Sequence, residues 1–172
     1  MIRILFIGMF FSLFSSLCIA QTDSLEVFKT DSFDVFTYQI PEFFTKSELP
    51  SRVQLTMTNE DGSFCLITMY KSQPAKADIL KDITSQWNEQ VLKRLTKADK
   101  KPQKILTEQM WEGWATTLGI GNFYHNKKKA VVMLNSFRYG KKTACVVFAF
   151  TDKIFKGPVE HFSKNLHLLK PE

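Results

Sequence analysis

Alternating hydrophobic and polar residues mark the first predicted strands of the chain. The alternation over Ser32–Ile40 predicts a strand that ends at Pro41, because proline has no N–H for a ladder hydrogen bond. Two further alternating runs, Arg52–Thr58 and Ser63–Lys71, flank Asn59-Glu60-Asp61-Gly62. An Asp-Gly step supplies the positive φ that a tight turn needs. This part of the chain therefore predicts a strand followed by a β-hairpin.

A helical period replaces the alternation after Pro74. Apolar residues recur at every fourth position, a spacing that predicts one long amphipathic helix. We expect it to begin near Ala75 and to end before Lys100-Lys101-Pro102, since a proline disfavours helix in the residue ahead of it. A shorter apolar stripe after Pro158 predicts a second, C-terminal helix. The stripe residues are Ile79, Ile83, Trp87, Val91 and Leu95 in the first helix and Val159, Phe162, Leu166 and Leu169 in the second.

Between the two helices the pattern is that of strands joined by short turns. The turns are predicted at Gly113, at Asn126 with the lysines that follow it, and at Gly140. Links this short require antiparallel neighbours, because a parallel pair needs a long crossover. The predicted strands are Lys104–Trp111, Trp114–Tyr124, Lys129–Tyr139 and Lys141–Thr151.

Two segments, Val131–Leu134 and Ala144–Phe150, are apolar at consecutive positions. Strands without alternation are typical of the middle of a sheet that is covered on both faces. With two amphipathic helices as covers, the sequence predicts an α+β fold. We expect an α/β/α sandwich around a largely antiparallel sheet of about six or seven strands, with one long helix and one C-terminal helix.

The first twenty residues have the features of a secretory signal peptide. Arg3 provides a positive start, Ile4–Ala20 carries no charge, and the small residues Cys18 and Ala20 stand where a signal peptidase requires them. We expect cleavage after Ala20, a flexible lead-in over residues 21–31 and a single domain over residues 32–172. The mature protein would be periplasmic or secreted, without a stable transmembrane span; an uncleaved membrane anchor is the alternative.

Composition and charge narrow the expected partners. The 172 residues include 23 Lys and Arg against 17 Asp and Glu, a formal net charge of +6. This modest excess, in an exported domain, argues against nucleic acid as a partner. Cys65 and Cys145 lie in apolar, strand-like runs, which favours buried free thiols over a disulfide. Two isolated cysteines lack metal-ligand spacing, so neither a metal nor a cofactor is expected.

No motif for catalysis stands out in the sequence. His125, His161 and His167 are expected to be surface residues, because their spacing does not bring them together on one face. The Gly119-Ile-Gly121 segment lacks the third glycine of a phosphate-binding loop, so a bulge or a close backbone approach is the preferred interpretation. The sequence thus favours a non-catalytic protein. The alternative is a small-ligand-binding protein or hydrolase with a pocket near His125.

The candidate binding residues lie at two predicted turns. Lys127, Lys128 and Lys129 occupy one turn, and Trp111 and Trp114 flank another. Exposed tryptophans anchor many protein contacts, and clustered lysines attract acidic surfaces. An envelope protein is the expected partner. The alternatives are peripheral binding to an anionic membrane surface, a solvated lysine face, and tryptophans that only pack over the end of the sheet.

The predicted order of elements, together with Tyr38-Gln-Ile-Pro-Glu-Phe-Phe44, is similar to the PsbP and Mog type of α/β/α sandwich. The resemblance covers Ser32–Leu169 and is one of topology and spacing. It implies a binding or assembly role, since proteins of this type usually do not act as enzymes. We therefore expect an exported, non-catalytic binding or assembly module at the cell envelope.

Overall fold

A computed structural model describes residues 30–170, with the backbone alone at positions 107–109. The predicted signal peptide, and the lead-in up to residue 29, lie outside the described residues. Within residues 30–170, no helix combines the length and apolar character needed to cross a bilayer. The strands are β1 (Thr30–Phe33), β2 (Phe36–Gln39), β3 (Thr45–Leu49), β4 (Arg52–Thr58), β5 (Phe64–Pro74), β6 (Lys104–Trp111), β7 (Trp114–His125), β8 (Lys128–Tyr139), β9 (Lys142–Phe150) and β10 (His167–Leu168).

The strands form two sheets in which every neighbour is antiparallel. The small sheet has the order β1-β2-β10, and the large sheet has the order β3-β4-β5-β9-β8-β7-β6. The large sheet curls into a half-barrel. Its two outer strands, β3 and β6, have one unpaired edge each among the described residues.

The predicted single strand Ser32–Ile40 is wrong, because the chain turns within it. Phe33 pairs with Phe36 across a two-residue turn at Asp34 and Val35. Asp34 adopts a φ of 53°, which Asp tolerates better than most residues. Its carboxylate also accepts a hydrogen bond from the Ser72 backbone N–H at 2.6 Å. This contact from a distant part of the chain holds the turn in place.

The β4–β5 hairpin is confirmed. Gly62 has a φ of 77°, and the Asn59 N–H donates to the Ser63 carbonyl at 2.8 Å. The meander from β6 to β9 is also confirmed, with turns at the predicted positions. Gly113 and Gly140 both adopt positive φ there.

Strand β9 is central in the large sheet and buried on both faces, as predicted. Val146 and Phe148 face the small sheet and the C-terminal helix, on what we call the small-sheet face. Cys145 and Val147 point the opposite way, toward the first helix, on the helix face. The run Val131–Leu134 in β8 differs from expectation, because its residues alternate between half-buried and buried positions.

The predicted α/β/α sandwich with a long helix is wrong. Helix α1 spans only Ile79–Gln86 and continues as a π-helical segment, Trp87–Leu92, in which the Lys93 N–H donates to the Asn88 carbonyl. A 3-10 turn, Lys153–Phe155, precedes helix α2, Lys156–Lys164. The protein is instead mostly antiparallel sheet with two short helices.

The two helices end early for different reasons. The first helix and its π-helical continuation end at Leu92, before the last stripe residue Leu95, and Lys97 then turns the chain with a left-handed φ of 49°. After α2, the chain extends into β10, so Leu166 is buried outside the helix and Leu169 is half exposed. Pairing of β10 with β2 takes the place of the predicted last helical turns.

Candidate functional site

The β7–β8 hairpin separates the two groups of predicted binding residues. Trp111 pairs with Trp114 at one end of β7, and Lys128 pairs with His125 at the other. Strand β7 has 12 residues, and at about 3.3 Å per residue its ends lie roughly 35 Å apart. The five predicted residues therefore form two separate surfaces.

The two tryptophans have different environments. Trp114 is fully buried, with its ring 5.5 Å from that of Tyr139. Trp111 is half-buried, and its ring lies 5.8 Å from that of Phe137. Trp114 thus packs within the core at the sheet end, whereas Trp111 keeps part of its side chain accessible.

Trp111 lines a small hollow on the small-sheet face of β6, β7 and β8. The hollow has a volume of about 220 Å³, and Leu106, Leu118 and Phe137 contribute apolar walls. Three polar residues, Thr116, Thr117 and Asn135, also line it. The hollow therefore combines apolar walls with polar side chains.

The lysine end of the hairpin borders an open cleft. Opposite the β7–β8 turn runs the segment that follows the π-helical turns, tied to β7 by a hydrogen bond from the Tyr124 N–H to the Thr96 carbonyl at 3.0 Å. The cleft between them has a volume of about 470 Å³. We call it the lysine cleft; its lining residues are Thr96, Lys97, Tyr124, His125, Asn126 and Lys127.

His125 contacts an aromatic ring and an amide. Its ring meets Phe64 edge-on, with 4.6 Å between ring centroids, and its Nε2 lies 3.1 Å from Nδ2 of Asn126. Among the side chains that the structure describes, no carboxylate is hydrogen-bonded to this imidazole. A general base is normally oriented by such a partner. The described contacts of His125 are thus one aromatic ring and one amide.

The three predicted lysines are exposed at the turn, and none forms an ion pair with a described carboxylate. Lys128 acts at longer range on Asp61. The pKa of the Asp61 carboxyl lies below its ordinary value. The main cause is that Ser63 donates hydrogen bonds to it, and the positive charge of Lys128 is a smaller cause. By contrast, Lys93 is paired with Glu89 at 2.7 Å. The lysine turn thus keeps its positive charge available.

The backbone of the lysine cleft is unusual. Lys97, Asn126 and Lys127 adopt left-handed φ values of 49°, 48° and 65°. Residues with a Cβ reach this region at an energetic cost, whereas glycine reaches it freely. Asn-Gly would be the favoured pair for a two-residue turn of this kind, yet lysine occupies the second position.

The other two histidines have partners near the far end of the sheet or within α2. His167 Nδ1 lies 2.8 Å from a carboxylate oxygen of Glu112, and Asn165 Nδ2 lies 3.3 Å from His161 Nε2. Among the side chains that the structure describes, no three of His, Cys, Asp or Glu converge as a metal site would require.

The free thiols of Cys65 and Cys145 agree with the sequence prediction. Both are buried, and they belong to the cores on opposite faces of the large sheet. Burial raises the pKa of Cys65 to about 12 and raises that of Cys145 further above its ordinary value. Neither thiol is therefore activated as a nucleophile.

A buried polar cluster beneath α1 was missed by the sequence analysis. Asp82 is fully buried and accepts a hydrogen bond from Arg138 at 2.7 Å. Gln86, one turn further on, donates to Thr143 at 2.9 Å. In the sequence, Asp82 precedes Ile83 and Gln86 precedes Trp87, and both of these neighbours belong to the apolar stripe. This position beside the stripe could have indicated that the two polar side chains lie on the buried face of the helix.

The fold is that of a half-barrel antiparallel sheet covered by one short helix and by a small sheet with a second helix. No protein-family model and no curated protein matches the sequence. Among solved structures, LpqN of Mycobacterium tuberculosis, described as involved in cell envelope biogenesis, is similar over 78% of this chain and 83% of its own, with a TM-score of 0.55 and 11% identity.

A protein of Bacteroides thetaiotaomicron VPI-5482 is similar over 83% of this chain, with a TM-score of 0.50 and 12% identity. The chain spans about half of that protein, 48% of its length. At such identities the likeness shows the fold alone. It does not distinguish the PsbP and Mog class from other proteins of related topology, so that membership stays a prediction.

Proposed function

We propose that the protein is an exported, non-catalytic binding module of the cell envelope, and that the lysine turn, Lys127–Lys129, contacts an anionic partner there. One observation carries the proposal: three consecutive exposed lysines occupy a hairpin tip without an ion pair to any described carboxylate. Like charges this close repel one another, and an anionic surface relieves the repulsion.

Two further observations support the envelope as the place of action. The N-terminal sequence has the pattern of a signal peptide. LpqN, which shares the fold, is described as involved in cell envelope biogenesis. Export and an envelope role are proposals for this chain.

The surroundings of His125 favour binding over hydrolysis. Its described contacts are the Phe64 ring and the Asn126 amide. A hydrolase would need a nucleophile beside the base and a group to orient it.

The test is retention of the full chain on washed native envelopes as the salt concentration rises. Replacement of Lys127, Lys128 and Lys129 by Glu should release the protein at much lower salt, because screened charge contacts are lost first. A matched control replaces Lys71, Lys141 and Lys142, which are exposed at the opposite end of the sheet, by Glu.

The control changes the net charge equally, so it should be retained like the unaltered protein. Both variants should keep the thermal unfolding temperature of the unaltered chain. Equal retention of all three proteins would contradict the proposal, and so would equal loss in both variants, which would show a dependence on net charge alone.

A further inference from the structure

We propose that the lysine cleft binds a phosphate group, held between the ammonium groups of Lys97 and Lys127. This inference rests on the proposed function, because it names the chemistry that the lysine end recognises. The two lysines approach from opposite walls, one following the π-helical segment and the other at the β7–β8 turn.

The lining chemistry favours an anion over other ligands. Besides the two lysines, the cleft presents the hydroxyls of Thr96 and Tyr124 and the side chain of Asn126, all able to donate hydrogen bonds. None of the residues that line the cleft is acidic. A site that combines donors with two positive charges is complementary to a multiply charged anion.

Two lysines suit a group that carries more than one negative charge. An ammonium acts as a point charge with three donors, so it binds phosphate without the planar match that a guanidinium makes. Two ammonium groups on opposite walls can each contact different oxygens of a tetrahedral phosphate.

The left-handed backbone of both lysines supports a role in binding. Glycine would relieve the strain at Lys97 and at Lys127, where φ is 49° and 65°. The sequence nevertheless keeps long cationic side chains at both positions, as the binding of an anion would require. Strained residues of this kind concentrate at functional sites.

The walls of the cleft are fixed by contacts outside it. Asp99 N–H donates to the Asn122 carbonyl at 2.9 Å, and the Asp99 carbonyl accepts from the indole N–H of Trp87, also at 2.9 Å. With the Tyr124–Thr96 hydrogen bond, these contacts fasten the Lys97 segment to β7. The two lysines are therefore held on facing walls before a ligand arrives, which lowers the cost of binding.

The experiment titrates the full chain, in detergent if its N-terminus is retained, with inorganic phosphate and glycerol phosphate at constant ionic strength, followed by amide NMR. We expect saturable shifts at Lys97 and Tyr124–Lys127 that acetate and chloride do not produce. The double substitution Lys97→Gly and Lys127→Gly should weaken phosphate binding by at least about tenfold. Its unfolding temperature should be unchanged or higher, because glycine fits the left-handed backbone.

The charge-matched control is Lys141→Gln with Lys142→Gln, since both residues are exposed at the opposite end of the sheet and neither lines the cleft. It should keep the phosphate affinity of the unaltered protein. Equal responses to acetate and phosphate would overturn the inference, as would an unchanged phosphate affinity in the double glycine variant.

A second arm distinguishes the source of the phosphate. Vesicles of phosphatidylglycerol, with phosphatidylcholine vesicles as the control, test a lipid headgroup. Binding to the anionic vesicles that glycerol phosphate displaces indicates a headgroup; a response to the soluble phosphates alone indicates a free phosphate. Either result supports the binding of phosphate in the lysine cleft.

The two proposals fail separately. Loss of envelope retention in the Lys127–Lys129 glutamate variant, without a phosphate site in the titration, would overturn this inference and leave the proposed function standing. Phosphate binding in the cleft, with envelope retention unaffected by the glutamates, would overturn the proposed function.

Discussion

Gly121 lies directly beneath the indole ring of Trp87. A Cβ atom on Gly121 would come within 2.9 Å of Cη2 and Cζ2 of that ring and within 3.2 Å of a carboxylate oxygen of Asp99. The indole is also fixed by its hydrogen bond to the Asp99 carbonyl. The contact confirms the sequence interpretation that the glycines of β7 mark a close approach of the backbone to a neighbour.

Gly121→Ala should destabilise the protein by about 1–3 kcal/mol, because neither the buried ring nor the strand has room to move. Thermal or urea unfolding measures the change. The control is Gly157→Ala in α2, where a Cβ meets no atom within 4 Å and alanine favours helix. Equal stability of the two variants would show that the Trp87 contact is not tight.

Removal of the Asp82 carboxylate should cost about 3–5 kcal/mol, because the charge of Arg138 would lose its buried partner. We expect Asp82→Ala to lower the urea midpoint accordingly. Glu89→Gln, which breaks the exposed pair with Lys93, should cost no more than about 1 kcal/mol. A double variant with Arg138→Met measures the coupling, and the absence of coupling would show that the two residues act independently.

Acid should remove a stabilising contribution of Glu112. Burial raises the pKa of this carboxyl, but the hydrogen bonds from the Leu168 N–H and the His167 side chain outweigh it, so the pKa lies below the ordinary value of 4.5. A carboxyl whose folded pKa is depressed stabilises the protein above its unfolded pKa, and the contribution is lost as the pH falls through the folded pKa.

The stability difference between the unaltered protein and Glu112→Gln should therefore be largest above about pH 5 and should shrink as the pH falls below it. Urea unfolding at a series of pH values measures it. Glu60→Gln, where the carboxylate makes no described hydrogen bond, is the control. A difference that stays constant down to pH 3 would contradict the assignment.

Cys65 and Cys145 should resist alkylation in the folded protein. Both side chains are buried, so an alkylating reagent does not reach the sulfur atoms. Their pKa values are raised, so the reactive thiolate form is not populated. Iodoacetamide treatment followed by peptide mass spectrometry should show little modification in buffer and complete modification in urea. Recovery of a peptide pair joined by a Cys65–Cys145 disulfide would contradict the free thiols.

Much of the strand pattern could be predicted because its turns carry local signals. Gly62, Gly113 and Gly140 stand at positive φ between alternating segments. The turn at Asp34 and Val35 has neither glycine nor proline, so it could not be separated from the alternating run around it. The long helix was overpredicted because its apolar period continues to Leu95, beyond the end of the π-helical segment at Leu92.

The candidate site could be predicted only in part. Lys127–Lys129 are consecutive, so their clustering is visible in the sequence. Lys97 joins them through the backbone hydrogen bond between Tyr124 and Thr96, a long-range contact that spacing does not reveal. The tryptophans were grouped with the lysines as candidate binding residues, but β7 places the two groups at its opposite ends.

The pairing of β10 with β2 sets the order in which the molecule can fold. Strand β2 contributes Phe36 and Tyr38 to the core on the small-sheet face, and the segment leading to β10 contributes Phe162 and Leu166. These contacts join regions more than a hundred positions apart in the sequence. A chain synthesised or translocated from its N-terminus therefore keeps that core open until the last strand arrives. We expect slow, late closure, as is usual for proteins with a high contact order.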